Sequence, residues 1–255
     1  MVLWQRVLIG LVLIPCSWAI LGMPARAQEN APAAPVAVDL ALILAVDASG
    51  SIDPAEFQLQ KEGIAAAITN DEVLQAIGSG RHDRIAIALV EWGSPGGAAI
   101  VVAWMFVEDR ASAEAFAVTL LAAPRSRQSY NALGDAMHLS TALFGTCACK
   151  ATRRVIDISG DNPDNRSNVP APLARDAAVA AGITVNALAI LNNDTVGASG
   201  RPYLVEVYER DVIGGFGAFV TTANSRADFA RALRQKMILE IAAAPPPPVT
   251  EAGVD

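Results

Sequence analysis

Residues Leu40 to Val46 form an unbroken run of seven apolar side chains that stops at Asp47. A strand with one wet face alternates apolar and polar residues, so a run without alternation reads as a strand buried on both faces. Burial on both faces calls for helices on each side of the sheet, and the crossovers that carry those helices make the strands parallel. The rest of the chain should then alternate strands with helices. Further strands are predicted at Arg84–Glu91, Ala98–Phe106, Val155–Ser159, Ile183–Leu191 and Ala218–Thr222. Asp53-Pro54-Ala55-Glu56 is a helix start, with Asp53 as cap, Pro54 in the first turn and Glu56 closing a capping box. Other helices are predicted over 111–122, 132–144, 172–181 and near 203–210. A last one carries Phe229, Leu233, Met237 and Ile241 at helical spacing. Gly93-Ser94-Pro95-Gly96-Gly97 is too short for a crossover, so it predicts a hairpin and one antiparallel edge strand. The expected fold class is α/β, a doubly wound, mostly parallel six-stranded sheet with helices on both faces.

The ends of the chain read differently. Arg6 precedes an apolar run from Val7 to Leu21, and Ala25-Arg26-Ala27 offers a small-x-small cleavage site, so residues 1–27 read as a signal peptide. The run is short for a membrane span and is broken by Pro15, so no span is expected after cleavage. Residues 28–37 are rich in Ala and Pro and read as a linker, 38–242 as the domain, and 243–255 as a Pro-rich disordered tail with Pro245 to Pro248 consecutive. The expected localisation is export, to the periplasm or beyond the cell. Removing Arg6 and Arg26 leaves 17 Lys and Arg against 26 Asp and Glu, a net charge of −9. So acidic a chain argues against nucleic acid and anionic lipid as partners and is compatible with a cation.

In doubly wound sheets, ligands bind beyond the carboxyl ends of the strands. Three loops there carry oxygen donors. After the first strand come Asp47, Ser49 and Ser51, with Gly50 relaxing the turn. Before the helix at 132–144 lies Ser129-Tyr130-Asn131-Ala132-Leu133-Gly134. After the fourth strand lies Ser159-Gly160-Asp161-Asn162. Two carboxylates with hydroxyl and amide oxygens form a hard donor set suited to Mg²⁺, or to Mn²⁺ or Ca²⁺.

Asp-x-Ser-x-Ser ending the first buried strand resembles the metal-ion-dependent adhesion site of von Willebrand factor A domains, a Rossmann-like fold. The resemblance spans nearly all of the chain after the signal. It implies that Ser49 and Ser51 bind the metal directly, while Asp47 and Asp161 act through water or shift with the state. The family's loop-two threonine sits three residues before a glycine, and Gly134 puts Asn131 in that place. An asparagine carbonyl can bind a hard cation, with Ser129 as the nearby substitute. The expected metal ligands are therefore Asp47, Ser49, Ser51, Asn131 and Asp161. Val38-Asp39-Leu40, Val90-Glu91-Trp92, Arg153 to Asp161 and Val212-Ile213-Gly214-Gly215 resemble a narrower group of exported bacterial proteins of this type, which brings no activity with it.

The resemblance implies a protein-binding module in which an acidic residue of a protein or peptide partner completes the metal's coordination. Two other readings stay open. One is a Mg²⁺-dependent phosphohydrolase with Asp47 as nucleophile, although Ser49 stands where a general acid often lies. The other is a scaffold whose metal site has decayed, suggested by Asn131. Asp157 lies in mid-strand and reads as a structural acid paired with Arg153 or Arg154, or as support for Asp161. Glu91 and Trp92 either shape partner contact at the rim or pack inside. His82 and His138 read as surface or packing residues. Cys147 and Cys149 either form a local bridge or remain free.

Overall fold

A computed structural model describes residues 34–192 and 195–243 of the chain. The segment 1–27 expected to be a signal peptide, residues 28–33 of the expected linker and nearly all of the Pro-rich stretch 243–255 lie outside the described residues. Among the described residues, no helix is long and apolar enough to cross a membrane.

In chain order the elements are β1 (Val36–Asp47), α1 (Pro54–Ile68), α2 (Asp71–Ile77), β2 (Ile85–Trp92), β3 (Ala99–Val107) and α3 (Arg110–Ala122). They continue with α4 (Leu133–Leu143), β4 (Cys149–Gly160), α5 (Ala171–Ala180), β5 (Thr184–Ile190), α6 (Tyr203–Asp211), β6 (Val220–Ala223) and α7 (Phe229–Ala242). The sheet order is β3-β2-β1-β4-β5-β6. Only the β2–β3 pair is antiparallel, and β3 stands at an edge, as the five-residue turn requires. The fold is the expected doubly wound α/β sheet. β1 starts at Val36, two residues inside the stretch read as linker. The sequence reading had no counterpart for α2, a short helix capped by the Asn70 side chain.

The apolar run of β1 divides by residue parity. Leu40, Leu42, Leu44 and Val46 join a core with α1, α3 and α7. Ala41, Ile43 and Ala45 face the opposite layer of α4, α5 and α6. Both faces are dry, which is why neither could carry polar residues. Each fully buried leucine on this strand contributes about 2 kcal/mol of burial.

α1 begins as its sequence predicts: Glu56 N donates to Asp53 Oδ1 at 2.8 Å, and Asp53 N donates to Glu56 Oε2 at 3.1 Å. α4 has no cap of its own. Its first amides are satisfied from the loop after β4, with Leu133 N on Asp164 Oδ1 at 3.0 Å and Gly134 N on Ser167 Oγ at 2.8 Å. Gly134 is required there, because a Cβ would stand 2.0 Å from the Val169 carbonyl. The start of α4 is thereby fixed against the β4 loop.

Asp157 has a different partner from the one expected. Lys236 of α7 lies 2.6 Å from its Oδ1 and also pairs with Glu240. Arg153 and Arg154 instead donate to the carbonyls of Ile241 and Ala181. Both arginines sit on the less buried first half of β4, whereas Asp157 lies deep under α7, so only a residue crossing that face can meet it. Cys147 and Cys149 are bridged at the entrance to β4.

Candidate metal site at the carboxyl ends of the central strands

The chain leaves β1 for β2 on one side, while β4 pairs on the other, so the order switches at the β1–β4 boundary. The loops after these two strands diverge and leave a crevice, the usual ligand position in such sheets. Asp47 ends β1 inside it.

The Asp47 loop is tightly specified. Asp47 Oδ1 accepts from Ser49 N at 2.8 Å, and the Ser49 and Ser51 hydroxyls lie 3.1 Å apart. Gln60 of α1 donates to the Asp47 carbonyl at 3.2 Å. Arg125 inserts one guanidinium nitrogen among three loop carbonyls, those of Ala48, Ser49 and Ile52, at 3.0, 2.9 and 2.9 Å. Its guanidinium also stacks 4.5 Å from the Phe57 ring centroid. These bonds turn the loop's carbonyls toward Arg125, and the side-chain oxygens of Asp47, Ser49 and Ser51 remain as the donors available to a ligand.

The second loop packs directly on the first. A Cβ on Gly93 would meet Ser49 Cα at 3.1 Å and the Tyr130 carbonyl at 2.9 Å, and a Cβ on Gly50 would meet the Ser129 carbonyl at 3.4 Å. Gln128 bridges the β2–β3 turn, accepting from Ser94 N at 2.8 Å and donating to the Gly97 carbonyl at 2.7 Å. Asn131 and Asn165 are tied by two bonds, Asn131 N to Asn165 Oδ1 at 3.1 Å and Asn165 N to the Asn131 carbonyl at 3.0 Å. The Asn131 side-chain oxygen is left buried with no hydrogen-bond partner, and so is Asp47 Oδ2.

The third loop brings a second acid. Asp161 Oδ1 accepts from Asn162 Nδ2 at 2.7 Å, and its Oδ2 is held by Arg226, in the short 3₁₀ turn before α7. Tyr208 of α6 braces this loop by donating to the Asn162 carbonyl at 3.1 Å. Burial, and next the Asp161 charge, push the Asp47 carboxyl up from 3.8 to about 7, while the Ser49 bonds and Arg226 pull it down. Burial also holds the Tyr208 hydroxyl well above its ordinary value, with Asp47, Asp161 and Asp164 adding to the shift. The Asp161 charge thus reaches Asp47 across the crevice.

The donor set matches a hard divalent cation. The orphaned oxygens of Asp47 and Asn131 are acceptors that lack a donor, and a buried acceptor left so costs about 1–3 kcal/mol. A cation beside them would remove that cost. Among the described residues, no three His, Cys, Asp or Glu side chains cluster as a metal site. The candidate set is two carboxylates completed by hydroxyl and amide oxygens.

Glu91 and Trp92 resolve toward packing: both are buried, with Glu91 Oε2 accepting from Ser126 N at 2.6 Å. His82 stands before β2 at the opposite end of the sheet, and His138 is exposed on α4. Sequence reasoning passed over Gln60, Arg125, Tyr208 and Arg226. Each is a lone residue in a helix, loop or turn with no pattern around it, and each acts through tertiary contact alone.

The sheet order and the helices on both faces give the chain the fold of von Willebrand factor A domains, with the Asp-x-Ser-x-Ser loop closing β1. Solved structures share the fold. Proximal thread matrix protein 1 from the mussel byssus aligns with a TM-score of 0.60 at 15% identity, over 82% of this chain and 49% of that one. A second structure of that protein, with a zinc-occupied adhesion motif, aligns at 0.56. The pilus adhesin SpaC from Lactobacillus rhamnosus GG aligns at 0.56 and 14% identity, over 80% of this chain and 30% of that one. A von Willebrand factor type A protein from Catenulispora acidiphila aligns at 0.54 and 17% identity, over 80% of this chain and 43% of that one. The aligned region spans half or less of these proteins' own length. No curated protein matches the sequence. Residues 37–245 match the family of proteins of unknown function DUF1194, and the chain belongs to that family.

Proposed function

We propose that the domain is an exported, metal-dependent protein-binding module of adhesion type. Ser49, Ser51 and Asn131 would hold a divalent cation, Mg²⁺ or Mn²⁺ by donor chemistry, with Asp47 and Asp161 supplying the charge. When bound, the cation supplies a Lewis-acid position for a carboxylate oxygen of a protein or peptide partner. The observation that carries the reading is the pair of buried acceptors without donors, Asp47 Oδ2 and Asn131 Oδ1, on two loops that pack against one another. The mussel matrix protein with a zinc-occupied motif and the pilus adhesin support it as fold relatives. The signal at residues 1–27 supports export.

The hydrolase alternative fits less well. Asp47 is wholly buried, and Ser49 stands where a second acid often serves as general acid. The Asp161–Arg226 pair favours the other alternative, a scaffold without metal, because it already neutralises one acid. Calorimetric titration with Mn²⁺ separates them. The binding reading expects saturable heat that Asp47→Ala and Ser49→Ala abolish and Asn131→Ala weakens about tenfold or more. Partner capture should vanish in EDTA. No heat from the native protein at millimolar Mn²⁺ would leave the scaffold.

A further inference from the structure

Arg226 is an unusual neighbour for a cation site. Its side chain is only 5% exposed, and it stands between two acids, with one terminal nitrogen on Asp161 Oδ2 and Nε 3.3 Å from Glu56 Oε1. The remaining terminal nitrogen has no acceptor, and Nε makes no hydrogen bond. A buried guanidinium with so few hydrogen-bond partners needs a carboxylate to balance its charge, and Asp161 is in direct contact with it. Both oxygens of Asp161 are consequently engaged, by Arg226 and by Asn162. The free acceptors lie on the other two loops, at Asp47 and Asn131. The site is therefore asymmetric, open on loops one and two and already committed on loop three.

We propose that Arg226 is a resident counter-cation of this site, competing with the divalent cation for Asp161 and passing toward Glu56 when the metal binds. The proposal rests on the metal-site reading above and adds an internal competitor to it. Two cations sharing one carboxylate in a poorly solvated crevice repel each other, so the guanidinium and the metal cannot both hold Asp161 at full strength. Arg226 has somewhere to go. Glu56 Oε1 is already within ion-pair distance, and Glu56 is tied to the start of α1 through its other oxygen, which accepts from Asp53 N. Arg226 thus lowers metal affinity while keeping the empty acidic crevice folded. Its loss should tighten binding, the reverse of what removing a ligand does.

The test compares Mn²⁺ affinity by calorimetry in the native protein and in Arg226→Gln, at pH 8, above the value of about 7 to which burial raises Asp47. The expected result is Mn²⁺ binding about tenfold or more tighter in Arg226→Gln, a common size for coupling between two sites. Asp161→Asn should cost more affinity in the Arg226→Gln background than alone. Equal or weaker binding in Arg226→Gln, with binding intact in the native protein, overturns the competition and leaves the metal site standing. No binding in either background overturns both. Should Arg226→Gln fail to fold, the native protein still decides. Mg²⁺ titration followed by NMR should shift the Arg226 Nε–H signal, assigned by its loss in Arg226→Lys. Saturation of the Ser49–Ser51 amide signals with the Arg226 signal unmoved would overturn the proposal.

Discussion

Replacing Asp47 by asparagine should stabilise the metal-free protein while removing its capacity for a cation. The buried carboxyl is pushed up from 3.8 to about 7 in the folded chain. Between those pH values the unfolded chain carries the charge and the folded one holds the proton. Unfolding then releases a proton, so stability falls as pH rises through this window and levels off above about 7. At 1.36 kcal/mol per pH unit, the full cost is about 4 kcal/mol at pH 8. We expect a measured gain of about 2–4 kcal/mol. The asparagine carbonyl can keep the bond from Ser49 N, so the loop retains its shape. Asp157 is also pushed up to about 7, chiefly by burial, but it is common to both proteins and cancels in the difference. The assay is urea denaturation of both proteins in EDTA at pH 5 and pH 8. Asp47→Asn should be the more stable at pH 8, and the gap should narrow by more than half at pH 5, closing only below about 3.8, where the carboxyl is protonated in the unfolded chain as well. Added Mn²⁺ should stabilise only the native protein, by mass action. A gap independent of pH, or a less stable Asp47→Asn at pH 8, would refute the reasoning.

Two further perturbations probe what surrounds the site. Arg125→Ala removes three bonds to loop carbonyls and the stack on Phe57, and should cost about 2–4 kcal/mol in urea denaturation together with part of the Mn²⁺ affinity. An unchanged denaturation midpoint would mean that the loop holds its shape without Arg125. Lys236→Met leaves Asp157 and Glu240 buried without their cation and should destabilise by about 3–5 kcal/mol at pH 8. The loss should shrink at pH 5, because Asp157, with its carboxyl near 7, is protonated there. An equal loss at both pH values would show that packing outweighs charge.

The sheet was legible because its chemistry is local. An apolar run with no polar alternation admits only a strand dry on both faces, and Leu40 to Val46 divides its residues between two cores as that logic requires. The turn at Gly93–Gly97 allowed no crossover, and β3 is antiparallel for that reason. What escaped was structure without periodicity. α2 is seven residues long and buries only Val73 and Ile77, too few to show a helical stripe. The partner of Asp157 was misjudged because chain proximity favoured Arg153 and Arg154, whereas the face of β4 that carries Asp157 is covered by α7, about eighty residues later.

The candidate site divides along the same line. Asp47, Ser49 and Ser51 follow one strand end at fixed spacing, so the sequence displays them as a motif. The residues that determine how the motif behaves come from elsewhere. Arg125 turns the loop carbonyls away, Asn165 fixes the backbone of Asn131, and Arg226 neutralises Asp161 from the turn after β6. None of them bears a pattern, because a single cation or amide serving one loop needs no spacing relative to anything else. Spacing can identify donors, but it cannot say how much charge the fold has already balanced around them. Here that balance is two facing carboxylates against one internal guanidinium, and the deficit is what a divalent cation would meet.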